Sequence, residues 1–160
     1  MSKGNGRNAS GESTGFSDAE IAAMKQRAEE LRASKGVKGA AKREREFQAC
    51  IDAIDALEGL AQQIASRFHV IVSEEAPHLD PKTWYGFPSY ALNGDVVTFV
   101  TPASKFQERY ASIGFNTAAN LDDGDIWATS FAVVGMNEAV EQQLRALVRK
   151  AAPAPESAQD

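Results

Sequence analysis

The segment WYGFPSYALNGDVVTFV, residues 84–100, carries the strongest indication of fold in this sequence. At its centre is Asn93-Gly94, a pair that readily takes the positive φ angles of a type I′ turn. Residues 84–92 before the turn are aromatic and prone to β structure, and residues 96–100 after it are apolar on both faces. The segment therefore predicts an antiparallel hairpin whose second strand is central in a sheet.

The residues after this hairpin extend the sheet. Residues 109–115 alternate apolar and polar side chains, which is typical of a half-buried strand. Asp122-Asp123-Gly124 predicts a turn, and residues 126–134 predict a further strand. Residues 82–135 therefore predict an antiparallel sheet of four to five strands.

Helical periodicity dominates the chain before the sheet and returns after it. Apolar residues at helical spacing predict a first helix over 18–33, capped by Ser17, and then two further helices interrupted at Gly59. Asn137 can cap a last helix over 137–151. The predicted fold class is α+β, with N-terminal helices and a C-terminal helix packed on the antiparallel sheet.

A single domain accounts for the part of the chain that can form a core. We expect it to span 16–152, with a helical part at 16–76, a sheet at 82–135 and a closing helix at 137–151. The flanking segments 1–15 and 153–160 are rich in small polar residues or proline, and we predict that they are disordered tails.

Charge and cysteine usage exclude several classes of function. The net charge of −5 argues against nucleic acid as a partner, because phosphate binding needs a positive surface. No apolar run is long enough to predict a membrane span. Cys50 is the only cysteine, which fits a reducing compartment, and we predict a cytoplasmic protein in which Cys50 is an inert core residue.

The sequence lacks the common signatures of catalysis. It has no phosphate-binding loop, no nucleophile elbow and no paired-cysteine zinc motif, so we predict no catalytic residues and no enzyme activity. A basic run between Arg32 and Arg45 has two interpretations, an attractive surface for an acidic partner or an ordinary surface of two helices and their linker.

Aromatic and basic residues of the predicted sheet region are candidates for a ligand-binding cleft. The candidate residues are Trp84, Tyr85, Tyr90, Lys105, Arg109, Tyr110 and Trp127. Tyrosine and tryptophan beside lysine and arginine can bind a small anionic or planar ligand, or a peptide. The alternative is that these aromatic residues simply cap the core of a small sheet.

Carboxylates give two candidate metal sites. Asp122, Asp123 and Asp125 are hard oxygen donors crowded into one turn, although a solvated turn is the commoner role of such residues. His69 and His78 with the intervening Glu74 and Glu75 could also supply ligands, but their spacing matches no known ligand pattern.

Several short motifs occur in the order found in one protein family. The run Ala76-Pro77-His78-Leu79 followed by Trp84-Tyr85-Gly86-Phe87-Pro88-Ser89-Tyr90 resembles the YdhG-like family, a domain of unknown function with members described as frataxin-like iron chaperones. The resemblance continues through Ala119-Asn120-Leu121-Asp122-Asp123-Gly124 to Leu147-Val148-Arg149-Lys150-Ala151, and it covers roughly residues 61–151.

This resemblance implies a frataxin-like α+β fold. It also implies a non-enzymatic protein that binds iron through surface carboxylates or delivers it to an iron–sulfur or haem assembly protein. We expect a monomer or a weak homodimer. The alternative function is a binding module for a small ligand or peptide, using the aromatic and basic cleft.

Overall fold

The computed structural model describes residues 15–34 and 39–156. Over these residues the chain forms four helices and five strands, in the order α1 (Asp18–Ser34), α2 (Ala40–Asp55), α3 (Gly59–Glu75), β1 (Asp80–Trp84), β2 (Phe87–Leu92), β3 (Asp95–Thr101), β4 (Ala111–Phe115), β5 (Ser130–Val133) and α4 (Glu138–Ala151). The predicted tails lie outside the described residues, except for Gly15 and residues 153–156, which belong to no helix or strand.

The five strands form one antiparallel sheet in the order β1-β2-β3-β4-β5, so every strand pairs with its neighbour in sequence. The predicted α+β class is confirmed, as is the hairpin turn at Asn93-Gly94, where both residues have positive φ (52° and 89°). Within the described part of the chain, no helix has both the length and the apolar composition needed to cross a membrane.

The aromatic segment itself forms a second hairpin, which differs from the single strand predicted over 84–92. Tyr85 and Gly86 have φ of 54° and 78°, the two positive angles that a type I′ turn needs. Because of this two-residue turn, Trp84 at the end of β1 pairs with Phe87 at the start of β2. The turn therefore adds the fifth strand to the sheet.

The last strand is shorter than the predicted range 126–134. β5 pairs with four of the five residues of β4, from Gly114 with Ser130 to Ala111 with Val133. Ile126 precedes this ladder and is 87% exposed. β5 is therefore four residues long, and residues 116–129 form an irregular connection.

The core lies between the sheet and the helices. Phe68 and Ile71 of α3, Tyr90 of β2 and Ile113 of β4 are each completely buried in one hydrophobic cluster, to which α4 contributes Leu144. The predicted caps are present, since Asn137 Oδ1 accepts a hydrogen bond from Val140 N at 3.0 Å and Ser17 Oγ accepts one from Glu20 N at 3.2 Å.

An ion-pair network joins α3 to α4 beside this core. The Arg145 guanidinium lies 2.7 Å from Glu74, 3.0 Å from Glu75 and 2.9 Å from Glu141. Arg67 of α3 also pairs with Glu141. These hydrogen bonds hold the pKa of the Glu141 carboxyl below its usual value and raise the pKa of Arg145. The network fixes α4 against α3 along one side.

The ring of Phe99 lies directly against Gly114 in the neighbouring strand, on the face of the sheet opposite Tyr90. A Cβ atom at Gly114 would overlap this ring. We therefore expect Gly114→Ala to lower the free energy of unfolding by about 1–3 kcal/mol, the usual effect of overpacking. Urea denaturation monitored by circular dichroism measures this change.

Gly135→Ala is the matched control, because Gly135 has no neighbouring atom within 4 Å of its Cβ position. We expect that variant to unfold at the urea concentration of the wild type. Equal stability of the two alanine variants would show that the ring does not constrain residue 114.

Candidate functional site

The tip of the β1–β2 hairpin packs against α1. Gly86 N donates a hydrogen bond to Glu30 Oε1 at 2.8 Å, and the Arg27 guanidinium lies 6.0 Å from the centre of the Tyr85 ring. A Cβ atom at Gly86 would overlap Lys105 Nζ and stand 2.9 Å from Gln26 Cγ, so both side chains would have to move. Glycine at position 86 therefore permits both the turn and the close approach of α1.

A cavity of about 560 Å³, here named the hairpin cavity, lies between α1, α2 and this hairpin. Its walls are mostly small or apolar, with five polar side chains. The residues that line it are Gln26, Ala49, Asp52, Ala53, Ala56, Leu57, Thr83, Gly86, Pro88, Pro102, Ser104 and Lys105. Ala49 and Ala53 of α2 and the C-cap residue Ala56 recur at helical spacing and leave space that larger side chains would fill.

A second cavity of about 420 Å³, the charged cavity, adjoins the first and shares Gln26, Ala49 and Thr83 with it. Charged side chains of both signs line it: Arg27, Glu29, Glu30, Lys42, Arg45, Glu46 and Lys82. Glu46 Oε1 is approached by Lys42 Nζ at 3.9 Å and by Lys82 Nζ at 3.8 Å, both longer than a hydrogen bond. Lys42 and Arg45, from the basic run of the sequence, therefore belong to the wall of a mixed-charge cavity.

Lys105 supplies the basic group of the hairpin cavity. It ends a short 3₁₀ turn, Ala103–Lys105, and its Nζ donates a long hydrogen bond of 3.4 Å to the Tyr85 carbonyl oxygen. The ammonium also lies 4.9 Å from the centre of the Phe87 ring, and it forms no ion pair with a described carboxylate. Burial lowers the pKa of Lys105, while the negative charge of Glu30 opposes this change.

The structure brings together only part of the predicted ligand-binding set. Trp84, Tyr85 and Lys105 meet at the hairpin tip, where the Trp84 ring packs 4.9 Å from that of Tyr85. Arg109 and Tyr110 pack on each other at 5.2 Å nearby, but both are exposed and neither lines the two cavities.

Trp127 and Tyr90 lie elsewhere. Trp127 lines a third cavity, of about 400 Å³, with Phe115 and Asp122 toward the opposite end of the strands. Tyr90 is completely buried in the core, so the seven predicted residues do not share one cleft. The sequence did not predict the contact of Gly86 with α1 or the alanine-lined wall of the hairpin cavity. The spacing of Ala49, Ala53 and Ala56 by four and three residues was the one indication of that wall.

The candidate metal ligands are also separated. Asp122, Asp123 and Asp125 are exposed on the connection between β4 and β5. His69 bonds to Tyr90, while Glu74 and Glu75 bond to Arg145. Across residues 15–34 and 39–156, no three His, Cys, Asp or Glu side chains are grouped so that they could hold a metal ion.

Tyr90 joins a buried polar chain instead of a ligand site. Its hydroxyl lies 3.0 Å from His69 Nδ1 and hydrogen-bonds to Cys50, which is itself fully buried. Burial raises the pKa of the Cys50 thiol to about 11, so it stays protonated and unreactive at neutral pH. The predicted core role of Cys50 is confirmed.

Comparisons with protein-family models, with curated proteins and with solved structures gave no significant match to this chain. The chemistry of the cavities is therefore the basis on which the candidate functions can be distinguished.

The buried position of His69 predicts a pH dependence of stability. Burial lowers the pKa of His69 from its ordinary value of 6.5, so the unfolded chain takes up a proton before the folded protein does. The neutral His69 side chain makes its full contribution to the free energy of unfolding above pH 6.5. This contribution is lost as the pH falls toward the pKa of His69 in the folded protein. We expect the stability advantage of wild type over His69→Gln to shrink between about pH 7.5 and pH 5, measured by urea denaturation.

This window lies above the range in which Glu141 titrates, because the pKa of Glu141 is held below 4.5. Parallel stability profiles of the two proteins would contradict the prediction.

Proposed function

We propose that this protein is a non-enzymatic binding module for a small planar ligand, and that the hairpin cavity is its site. The observation that carries the proposal is an apolar cavity containing a half-buried lysine that forms no ion pair with a described carboxylate. Natural ligand sites have this composition, with apolar walls for affinity and a few polar groups for orientation.

The dimensions of the cavity support this proposal. Its volume of about 560 Å³ falls within the range of small-molecule sites. The gap is bordered by Ala49, Ala53 and Ala56 on one side and by Pro88 and Pro102 on the other. These rigid or short side chains lose little conformational entropy when a ligand is bound.

The polar groups indicate how a ligand would be oriented. Lys105 can donate hydrogen bonds to an anionic or carbonyl oxygen, and Gln26 offers both a donor and an acceptor across the cavity. Tyr85 and Trp84 line neither cavity, and their rings pack on each other at 4.9 Å at the hairpin tip. A planar molecule with one acidic oxygen group satisfies these groups best.

A cavity-filling variant tests the site. Sodium benzoate, a planar anion, should shift amide resonances of the cavity residues in a saturable NMR titration. We expect Ala53→Leu to weaken this binding at least about tenfold, or 1.4 kcal/mol, because the larger side chain occupies the cavity. Lys105→Met should weaken binding of benzoate more than binding of neutral benzamide, since only benzoate gains from the ammonium.

Ala41→Leu is the matched control, because Ala41 is an exposed residue of the same helix and lines neither cavity. Unchanged benzoate binding in Ala53→Leu, or shifts confined to other surfaces, would overturn the proposal.

Iron binding remains a second proposal. The resemblance to the YdhG-like family supports it, and the general α+β architecture agrees with the fold that this resemblance implies. The exposure of Asp122, Asp123 and Asp125 in one short connection is the feature that favours it. We rank it second because these carboxylates are solvated and do not converge with other ligand residues in the described part of the chain.

An anaerobic Fe(II) titration tests the iron proposal. It predicts saturable paramagnetic broadening of the NMR resonances of residues 122–125, because Fe(II) bound to their carboxylates relaxes nearby nuclei. Replacing the three aspartates by asparagine should remove the broadening, whereas Asp55→Asn, on an exposed position of α2, should not. Absence of broadening at millimolar Fe(II) would exclude this site.

A further inference from the structure

Lys105 differs in its surroundings from the other lysines that the structure describes. Lys42 and Lys82 both approach the carboxylate of Glu46, and Lys25 and Lys150 are exposed to solvent. Lys105 alone combines partial burial, a position in a cavity and the absence of an ion pair with a described carboxylate. An amine in that position has chemistry that an exposed lysine lacks.

We propose that Lys105 is a covalent attachment point for a carbonyl ligand, whose aldehyde group condenses with the Lys105 amine inside the hairpin cavity. This inference rests on the proposed function, since it names the reactive group of the ligand that the same cavity takes.

The reaction requires only the neutral amine and the aldehyde. The nitrogen lone pair attacks the carbonyl carbon and forms a C–N bond, which gives a carbinolamine. The two protons of the neutral amine then leave with the former carbonyl oxygen as water, and a C=N bond remains. No oxidant, reductant or metal is consumed, and the product is an imine that water can reverse.

The geometry raises the fraction of Lys105 that is neutral above that of an exposed lysine. Ala53, Pro88 and Pro102 line the same cavity and offer no hydrogen bonds to an ammonium from their side chains. Among the residues that the structure describes, the Tyr85 carbonyl is the acceptor of Lys105 Nζ, at the long distance of 3.4 Å. Desolvation lowers the pKa of Lys105, and each unit of such a change raises the neutral fraction about tenfold at neutral pH.

One carboxylate and one aromatic ring favour the charged ammonium instead. Glu30 of α1 raises the pKa of Lys105 through its charge, and Asp52 of α2 lines the same cavity. Glu30 Oε1 is occupied by the Gly86 amide, and Asp52 Oδ1 accepts a hydrogen bond from Gln48 at 2.8 Å. The Phe87 ring attracts the ammonium at 4.9 Å. The second oxygen of Glu30, Oε2, is buried without a hydrogen-bond partner and lies 3.5 Å from the Arg27 guanidinium. Burial nevertheless remains the largest influence on the pKa of Lys105.

Reductive trapping tests the proposal with benzaldehyde as the probe. The folded full-length protein is treated with limiting benzaldehyde and sodium cyanoborohydride, which reduces an imine to a stable benzylamine. Peptide mass spectrometry then gives the rate of modification at each lysine. We expect Lys105 to react about tenfold faster than Lys25, because a larger fraction of its amine is neutral and the cavity holds the aromatic ring.

Three variants separate the possible causes. Lys105→Arg should abolish the fast modification, because a guanidinium forms no imine under these conditions. Ala53→Leu should slow modification of Lys105 to the rate of an exposed lysine, whereas Lys25→Arg should leave it unchanged. Circular dichroism confirms that each variant is folded.

The results of the labelling and benzoate experiments distinguish the carbonyl-ligand proposal from the proposed binding function. Saturable benzoate binding without preferential trapping at Lys105 would overturn the carbonyl ligand and leave the binding module intact. Equal labelling of Lys105 and Lys25 together with no benzoate binding would overturn both. Fast labelling of Lys105 that survives Ala53→Leu would also overturn the proposal, because the cavity would then play no part.

Discussion

The two-residue turn at Tyr85-Gly86 is the constraint on which the site depends. It reverses the chain inside the aromatic segment, so that β1 and β2 pair and the Gly86 amide points out of the hairpin toward α1. Glu30 of α1 accepts a hydrogen bond from that amide, which fixes the distance between α1 and the sheet. Both cavities lie beside this contact, since each is lined by α1, α2 and the hairpin. Without the turn, the hydrogen bond between the Gly86 amide and Glu30 of α1 would be lost.

Tyrosine is an unusual residue for the first position of this turn. A bulky side chain at φ 54° is strained, because its Cβ approaches the following carbonyl at a cost of about 1–2 kcal/mol. The contacts of the ring offset this strain, since Tyr85 packs on Trp84 at 4.9 Å and faces Arg27 at 6.0 Å. Asparagine would adopt the turn more easily and would lose both contacts. Tyr85 thus combines a strained backbone conformation with ring contacts to Trp84 and to Arg27 of α1.

Local signals were sufficient to predict most of the fold. Asn93-Gly94 and Asn137 act through their own backbone neighbours, and the structure has the turn and the cap where the sequence predicts them. The turn at Gly86 was harder to predict from the sequence, because a glycine beside Pro88 is also typical of a bulged or edge strand. Its role as a turn follows from the partner strand β1, whose sequence Asp80–Trp84 carries a proline and two charged residues and gives little β signal.

Sequence spacing alone could not show which of the predicted site residues come together in the structure. Tyr90 is as aromatic as Tyr85, but its burial follows from Cys50 and His69, two residues of different helices that satisfy its hydroxyl. Trp127 could have been separated from Lys105 by topology alone. In an antiparallel meander the start and the end of β4 lie at opposite ends of the sheet. Lys105 precedes the start of β4, whereas Trp127 precedes β5, whose first residue pairs near the end of β4.

The cavities occupy the least tightly packed boundary of the domain. Ala23 is the buried apolar residue of α1, whereas α3 buries five residues and is tied to α4 by the Arg145 network. Helix α1 is held by a hydrogen bond at Gly86 and a contact with Tyr85, both at its hairpin side. The residues by which α1 contacts the hairpin are therefore distinct from Phe68, Tyr90 and the rest of the core. A binding site placed there can exchange its ligand at little expense to the stability of the fold, because the interactions that stabilise the core and those that form the cavity are carried by different residues.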